Sequence, residues 1–238
     1  MAMPVVSRAR RGPARTSGVT TREFQERLLR RARKAGLRLA PGLAEALEAY
    51  YRLLDLWNRK INLTALAVAE ADDAAMDRLL IEPLVAARHL PAGPVRVTDI
   101  GSGGGSPAIP MKLATPGMAL RMVEAKTRKS AFLREAVRHL QLADTVVETA
   151  RFEELLSRPE LHETSDVVTL RAVRVEVRVL LGLQAFLRPG GRVFLFRGPS
   201  GADVPGALTP PLAWEVTHTL AESSSSRLVV LRKMPYGQ

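Results

Sequence analysis

Residues Val97-Thr98-Asp99-Ile100-Gly101-Ser102-Gly103-Gly104-Gly105 decide the fold of this chain. The apolar run that ends at Ile100 predicts a β-strand, and the glycines after it predict a tight loop. Pro107 then opens a helical stretch, because proline is well tolerated in the first turn of a helix. Together these elements form a cradle for a nucleotide-like ligand, since glycines let the backbone approach closely and the helix end offers unpaired N–H groups.

Asp99 indicates which ligand the cradle takes. It lies two residues before the first glycine, where a carboxylate would repel a pyrophosphate and attract a cationic group. S-adenosylmethionine carries a sulfonium and an ammonium group and no phosphate, so Asp99 favours this cofactor over NAD. Ser106 supports the same choice, because it stands where the dinucleotide pattern G-x-G-x-x-G requires its last glycine.

Further candidates for the cofactor site follow the other predicted strands, because ligands of open α/β sheets lie at the carboxyl ends of the strands. Glu124 is placed to accept hydrogen bonds from ribose hydroxyls, as acids also do in NAD enzymes. Phe152 and Glu153 either hold an adenine or belong to an ordinary surface loop. Arg171 needs a partner if it is buried, either a carboxylate of the site or that of the cofactor. The cofactor-binding candidates are Asp99, Gly101, Gly103, Gly105, Ser106, Glu124, Phe152, Glu153 and Arg171.

Composition excludes several classes of function. The chain has 238 residues and no cysteine, which excludes disulfides, thiolate metal sites and a catalytic thiol. It has no apolar run of the about 18 residues that a membrane span requires, and its N-terminus lacks the apolar segment of a secretory signal. We therefore expect a cytoplasmic protein without a membrane partner. The four histidines are scattered without ligand spacing, so we expect neither a metal site nor a catalytic histidine.

The net charge of +11 is concentrated near the N-terminus. Residues 1–60 carry 14 lysines and arginines against 5 acids, whereas the rest of the chain carries 21 against 19. A basic N-terminal part, followed by a nearly neutral remainder, favours a polyanionic partner such as RNA. Arginine-rich chains are nevertheless often basic without binding a specific partner. The side chains that would contact a phosphate backbone, or alternatively form solvated surfaces, are Arg59, Lys60, Arg128, Lys129 and Arg197.

Strand and helix patterns alternate after residue 95, which predicts a parallel, doubly wound sheet. The predicted strands are 95–100, 119–124, 145–149, 166–170 and 191–196. The predicted helices are 107–114, 127–141, 151–157 and 175–187. The last two strands, 213–220 and 227–234, are joined without a helix. They therefore form an antiparallel hairpin at the end of a mostly parallel sheet.

The N-terminal part divides into a tail and a helical extension. Residues 1–22 lack apolar content, which predicts a disordered basic tail. This tail is an RNA-contacting arm, a transit peptide or a segment without function. Residues 23–92 form the helical extension, and residues 93–238 form the α/β domain.

Three helices are predicted in the extension. Thr20-x-x-Glu23 has the spacing of a capping box and begins the first helix. The second helix follows Pro41, and its apolar stripe is more typical of a core-facing helix than of a binding surface. That stripe is Leu43, Leu47, Tyr50, Leu54 and Trp57. The third helix runs from about residue 70 to about residue 90, with a kink or a break at Pro83.

Several segments together resemble the RsmG (GidB) family of bacterial ribosomal RNA guanine-N7 methyltransferases. The most specific is Trp57-Asn58-Arg59-Lys60-Ile61-Asn62-Leu63-Thr64, whereas the glycine loop with Pro107-x-x-Pro110 marks the wider superfamily. The remaining segments are 128–135, 151–154, 171–173 and 188–191. They follow the order of the family over roughly residues 25–234.

The resemblance implies a class I S-adenosylmethionine-dependent methyltransferase fold and methylation of guanine N7 in 16S ribosomal RNA, either naked or in the small ribosomal subunit. Guanine N7 is already a lone-pair nucleophile, so no general base is required and no catalytic residue is assigned. We expect a monomer. Carried over by motif, the cofactor positions would be Gly101, Ser106, Glu124, Phe152, Glu153 and Arg171.

The chain departs from the usual residues of the family in three places. The third helix reads Asp77 to Glu82 where the family has Arg-His and then Asp-Ser, Ser226-Arg227 replaces another Arg-His, and Arg197 replaces a lysine. These positions lie outside the glycine loop, so we expect them to leave cofactor binding intact and to concern the RNA target. The open alternatives are a methyltransferase of another RNA, protein or small molecule, and a catalytically silent RNA-binding or ribosome-assembly protein.

Overall fold

The computed structural model describes residues 19–171, 176–198, 208, 210–221 and 225–235. Helix α1 (Thr21–Lys34) begins with the predicted capping box: the Thr20 hydroxyl accepts the N–H of Glu23 at 3.3 Å, and the Glu23 carboxylate accepts the N–H of Thr20 at 2.9 Å. The disordered tail predicted for 1–22 therefore extends too far, because its last residues already belong to this capped helix. Residues 1–18 lie outside the described residues.

The third helical segment of the extension is interrupted without being broken. It runs continuously through α3 (Asp73–Met76), a π-helical turn (Asp77–Ile81) and α4 (Glu82–Ala87). A short 3₁₀ helix, Val68–Glu70, precedes it. Pro83 has no N–H to donate, and the wider turn before it absorbs this loss. The interruption predicted at Pro83 is therefore a π-turn.

The centre of the α/β domain is a mostly parallel sheet. Its strands are β1 (Arg96–Ile100), β2 (Ala119–Val123), β3 (Thr145–Glu148), β4 (Ser165–Arg171), β5 (Leu187–Arg197), β6 (Leu212–Ala221) and β7 (Ser226–Lys233). Across the described residues the seven strands lie in the order β3-β2-β1-β4-β5-β7-β6. The first five are parallel, and β7 pairs antiparallel with β5 and β6, which confirms the predicted hairpin. The order in which successive strands are added switches sides between β1 and β4: β2 and β3 lie on one side of β1, and β4 and β5 lie on the other. Such a switch point predicts a ligand crevice at the carboxyl ends of β1 and β4.

In the described residues, four α-helices and a short 3₁₀ helix, Pro159–Leu161, connect these strands. The α-helices are α5 (Ala108–Ala114), α6 (Thr127–His139), α7 (Phe152–Leu155) and α8 (Val177–Leu183). The bounds depart most from prediction near β5, which begins at Leu187 because that residue pairs with Ser165 across an irregular register. The predicted helix 175–187 is therefore too long, and the predicted strand 191–196 is too short. Residues 172–175 lie outside the described part of the chain.

Helix α2 (Leu43–Ile61) joins the extension to the α/β domain. Leu47, Tyr50 and Leu54 are fully buried, and the ring centroids of Trp57 and Phe132 on α6 lie 5.8 Å apart. One hydrophobic cluster contains these side chains together with residues of β1, β2 and α5. The predicted core-facing stripe of this helix is confirmed, and the extension shares its core with the α/β domain.

Leu47→Ala should lower the free energy of unfolding by about 2–5 kcal/mol, because it removes a fully buried side chain from the shared core. Leu56→Ala, on the same helix, is the control: its side chain is 53% exposed, and the expected change is within about 0.5 kcal/mol. Urea unfolding, followed by circular dichroism and by tryptophan fluorescence, measures both variants. Because the core is shared, the two signals should change in one transition, and two separate transitions would contradict the shared core.

Candidate cofactor and active site

The loop after β1 is held against the end of β2. The N–H groups of Gly101 and Ser102 both donate to the carbonyl of Val123, at 2.9 and 3.1 Å. Gly101 has a φ of +72° and Gly105 a φ of +84°, in the left-handed region that favours glycine. A Cβ on Gly105 would lie 2.5 Å from Cδ1 of Ile109, so another residue there would have to displace the Ile109 side chain and would also be strained by the positive φ.

Glu124 follows β2 and is buried against this loop. One carboxylate oxygen accepts the N–H of Gly103 at 2.9 Å, and the other accepts the N–H of Lys126 at 2.8 Å. Each oxygen keeps a second lone pair that can accept a hydrogen bond from a ligand hydroxyl. The two backbone bonds therefore fix the direction of the carboxylate without using up its capacity to bind.

A cleft of about 510 Å³ opens beside Glu124 at the carboxyl ends of the strands. This volume lies within the range of small-molecule sites. The structure brings four predicted cofactor residues to the wall of the cleft: Gly101, Glu124, Phe152 and Glu153. Phe152 presents a half-buried ring, and Glu153 is exposed at the first turn of α7.

The other predicted cofactor residues, Asp99, Gly103, Gly105, Ser106 and Arg171, do not line this cleft. Asp99 is the first of them along the chain. Its side chain points to the opposite face of the sheet from Ile100, because side chains alternate along a strand. Asp99 is 1% exposed; one carboxylate oxygen accepts the hydroxyl of Thr169, and the other has no hydrogen-bond partner among the described residues. Burial raises the pKa of Asp99. A buried carboxylate oxygen without a partner is costly, so a cationic ligand group would fit at this position.

Arg171, at the end of β4, takes its partner from the extension. Its Nη2 lies 3.0 Å from a carboxylate oxygen of Glu82, and its Nη1 donates to the backbone carbonyl of Arg78. The same Nη1 lies 3.5 Å from the hydroxyl of Ser106, and the guanidinium carbon lies 4.4 Å from the centre of the Phe196 ring. Of the two partners considered for Arg171, the structure therefore provides a carboxylate of the protein.

One donor of Arg171 is not used by the protein. Its Nε is buried and has no hydrogen-bond partner among the described residues. Burial lowers the pKa of Arg171 to about 10, and the charge of Glu82 opposes this shift. The side chain therefore stays charged near neutral pH and can offer Nε to an anionic ligand group.

The segment Asp77 to Glu82, where the chain departs from the family, contacts the predicted cofactor residues. The hydroxyl of Ser106 donates to the carbonyl of Leu79 at 2.9 Å. The Arg78 carbonyl and the Glu82 carboxylate hold Arg171. The π-turn therefore brings this segment against the glycine loop, although it lies outside the loop in the sequence. That the departures leave cofactor binding intact stays a prediction.

Helix α2 also supports the loop, which sequence reasoning missed. The hydroxyl of Tyr50 donates to the carbonyl of Gly104 at 2.6 Å, and a Cβ on Gly104 would lie 3.1 Å from Leu54 and 3.6 Å from Leu63. The sequence pattern places Tyr50 only in the apolar stripe. Because a buried tyrosine hydroxyl usually has a hydrogen-bond partner, the expected burial of Tyr50 is the signal that points to such a contact.

The segment Trp57 to Thr64, which carries the most specific resemblance to the family, contains the end of α2. Asn62 adopts a left-handed conformation with a φ of +52°. The side-chain oxygen of Asn58 accepts the N–H of Thr64 at 2.8 Å. These two features end the helix and turn Leu63 toward Gly104, so the segment has a structural role next to the glycine loop.

The predicted RNA-contacting residues lie on several elements. Arg59 is 65% exposed and pairs with Asp55 at 2.5 Å, and Lys60 beside it is exposed. Arg128 is exposed and Lys129 half-buried in the first turn of α6, and Arg197 is half-buried at the end of β5. Their contact with RNA stays a prediction.

Among the described residues, no group of three or more histidine and acidic side chains could hold a metal ion. No helix in the described ranges has the length and apolar character that a membrane crossing requires.

Comparison with known proteins decides the family. The family model described as GidB, rRNA small subunit methyltransferase G, matches residues 43–209. The chain belongs to this family. The resemblance to the RsmG (GidB) family is therefore confirmed, and with it the class of enzyme: the protein is an S-adenosylmethionine-dependent methyltransferase.

Three relatives, each named ribosomal RNA small subunit methyltransferase G, are similar over most of the chain. The relative from Roseiflexus sp. (strain RS-1) is 35% identical over 177 residues, which are 74% of this chain and 73% of the relative. The relative from Carboxydothermus hydrogenoformans is 36% identical, covering 71% and 70%. The relative from Chloroflexus aggregans is 34% identical, covering 88% and 91%.

The residues present fit S-adenosylmethionine. One oxygen of Asp99 and the Nε of Arg171 have no hydrogen-bond partner where the structure describes the chain; the oxygen suits an ammonium group, and the Nε suits a carboxylate. Glu124 in the cleft suits ribose hydroxyls. An ammonium, a carboxylate and a ribose are the polar groups of this cofactor, apart from its sulfonium and adenine.

Gly101→Asp should abolish binding of S-adenosylmethionine, because it places a side chain at a φ of +72° on the wall of the cleft. Gly117→Asp is the matched control, since a Cβ there meets nothing within 4 Å. Isothermal titration calorimetry with both folded variants measures the affinity. Retained affinity in Gly101→Asp would remove the loop from the cofactor site.

Proposed function

We propose that this protein transfers a methyl group from S-adenosylmethionine to N7 of a guanosine in 16S ribosomal RNA, naked or in the small ribosomal subunit. The names of the relatives support this substrate. The observation that carries the methyl transfer is the buried Asp99 oxygen, which has no hydrogen-bond partner among the described residues and lies behind an intact glycine loop. This oxygen matches a cationic cofactor and would repel a pyrophosphate.

In this proposal the loop separates the two ends of the cofactor. Glu124 accepts hydrogen bonds from the ribose, while Phe152 and Glu153 hold the adenine in the cleft. On the other side, Asp99 accepts the ammonium group and the Nε of Arg171 donates to the carboxylate. Gly103 and Gly105 allow the backbone to pass close to the cofactor between these groups.

The chemistry requires orientation rather than proton transfer. Bound S-adenosylmethionine supplies a methyl group on a positively charged sulfur. The lone pair of guanine N7 forms the new N–C bond while the S–C bond breaks, and the positive charge passes to the purine. The protein therefore has to hold N7 in line with the methyl group and keep water out, and such positioning can account for a large part of a rate enhancement.

We infer that exposed and half-buried cations at the surface guide the RNA backbone to this site. Arg59 and Lys60 at the end of α2 and Arg128 and Lys129 at the start of α6 belong to helices that pack against each other. Arg197 ends β5 at the carboxyl edge of the sheet. We also propose that the protein is a monomer and is located in the cytoplasm.

Incubation with radiolabelled S-adenosylmethionine tests the reaction. The substrates are naked ribosomal RNA and small subunits from a bacterial strain that lacks the enzyme. We expect label in small-subunit RNA, recovered as 7-methylguanosine after digestion, and none with Gly101→Asp. Label in another molecule would favour the alternative substrate. RNA binding without any label, despite measurable cofactor binding, would favour a catalytically silent protein.

Lys60→Ala should weaken RNA binding and reduce the slope of log K against log salt concentration by about 1, because one phosphate contact is lost. Arg138→Ala is the control, since Arg138 lies at the far end of α6, where its side chain is 73% exposed and pairs with Glu135. Filter binding at several salt concentrations measures the slope. Equal slopes for wild type and Lys60→Ala would remove Lys60 from the RNA surface.

A further inference from the structure

Glu82, in the helical extension, is a buried carboxylate at the edge of the cofactor site. It begins α4 and is 0% exposed. One oxygen lies 3.0 Å from Arg171 Nη2 and 3.0 Å from Arg78 Nη1. A buried carboxylate is tolerated when it is paired and hydrogen-bonded, and Glu82 is paired with two cations. It therefore joins the extension to the end of β4 by a charge interaction.

The π-turn next to Glu82 adds acceptors to the same contact. The N–H of Glu82 donates to the carbonyl of Asp77, one residue farther back than in an α-helix. The next residue, Pro83, has no N–H. The carbonyls of Arg78 and Leu79 thus lose their helical donors, and they accept Arg171 Nη1 and the Ser106 hydroxyl instead.

These contacts determine how Arg171 is oriented. Glu82 holds Nη2, the Arg78 carbonyl holds Nη1, and the Phe196 ring lies 4.4 Å from the guanidinium carbon. The planar guanidinium cannot rotate without losing one of them. Its Nε is left without a hydrogen-bond partner in the described part of the chain, as is one oxygen of Asp99.

We propose that Glu82 is a positioning residue for S-adenosylmethionine: it fixes Arg171 so that Nε meets the carboxylate of the cofactor while Asp99 meets its ammonium group. The proposal rests on the proposed function only through cofactor binding, and it is independent of the RNA target. It also gives the helical extension a part in the cofactor site.

A purely structural role for Glu82 has to be separated from this one. Asp77 provides the comparison, because it is a buried acid on the same helical segment. It is 3% exposed and pairs with Arg31 of α1. Both acids stabilise the extension, but in the proposal only Glu82 acts on Arg171.

The experiment is a double-mutant cycle on the full chain. Glu82→Gln, Arg171→Ala, their combination and Asp77→Asn are each titrated calorimetrically with S-adenosylmethionine and with S-adenosylhomocysteine, and melted without ligand. Glu82→Gln should weaken binding of both ligands by a similar factor, on the order of tenfold. In the Arg171→Ala background it should have no further effect. Asp77→Asn should lower the melting temperature and leave both affinities unchanged.

Several results would overturn the proposal. Additive effects of Glu82→Gln and Arg171→Ala would mean that Glu82 does not act through Arg171. Loss of affinity for S-adenosylmethionine alone would mean that Glu82 balances the sulfonium charge instead. If Glu82→Gln does not fold, Glu82→Asp keeps the charge on a shorter side chain; the same cycle should then show a smaller, non-additive loss, and wild-type affinity would refute the proposal. Absence of binding by the wild-type protein would instead refute the proposed function.

Discussion

A guanidinium buried at the end of a parallel strand needs a counter-charge, and in this protein a distant part of the chain supplies it. Arg171 ends β4 in the α/β domain, and Glu82 begins α4 in the extension, 3.0 Å away. Removing Glu82 would leave the buried Arg171 guanidinium without its carboxylate partner, whereas removing Arg171 would leave Glu82 still paired with Arg78. The position of the third helical segment therefore depends on this pair, and so does the loop that Ser106 ties to it.

The proposed site is built around the glycine loop, with contacts on both sides of it and behind it. The cleft beside Glu124 lies on one side of the glycine loop, and the buried side chains of Asp99 and Arg171 lie on the other. Behind the loop, the Tyr50 hydroxyl and the Leu54 side chain hold Gly104 in place. In the proposed site the extension therefore forms one wall, which agrees with the core that it shares with the α/β domain.

Sequence patterns predicted the elements that depend on neighbouring residues. The strand before Gly101, the capping box at Thr20 and the C-terminal hairpin each follow from a local rule, and all are present. The contact between Glu82 and Arg171 joins residues 89 positions apart, so no local rule could reveal it. Pro83 shows the same limit, because the acceptors it frees are satisfied by side chains from other elements.

The central claim is that the extension and the glycine loop bind S-adenosylmethionine as one unit. Hydrogen–deuterium exchange of the full chain, with and without the cofactor, tests this most directly. The account predicts that protection rises together at residues 101–106 and at residues 79–85 of the extension. Protection that rises only at 101–106, with 79–85 unchanged, would contradict it.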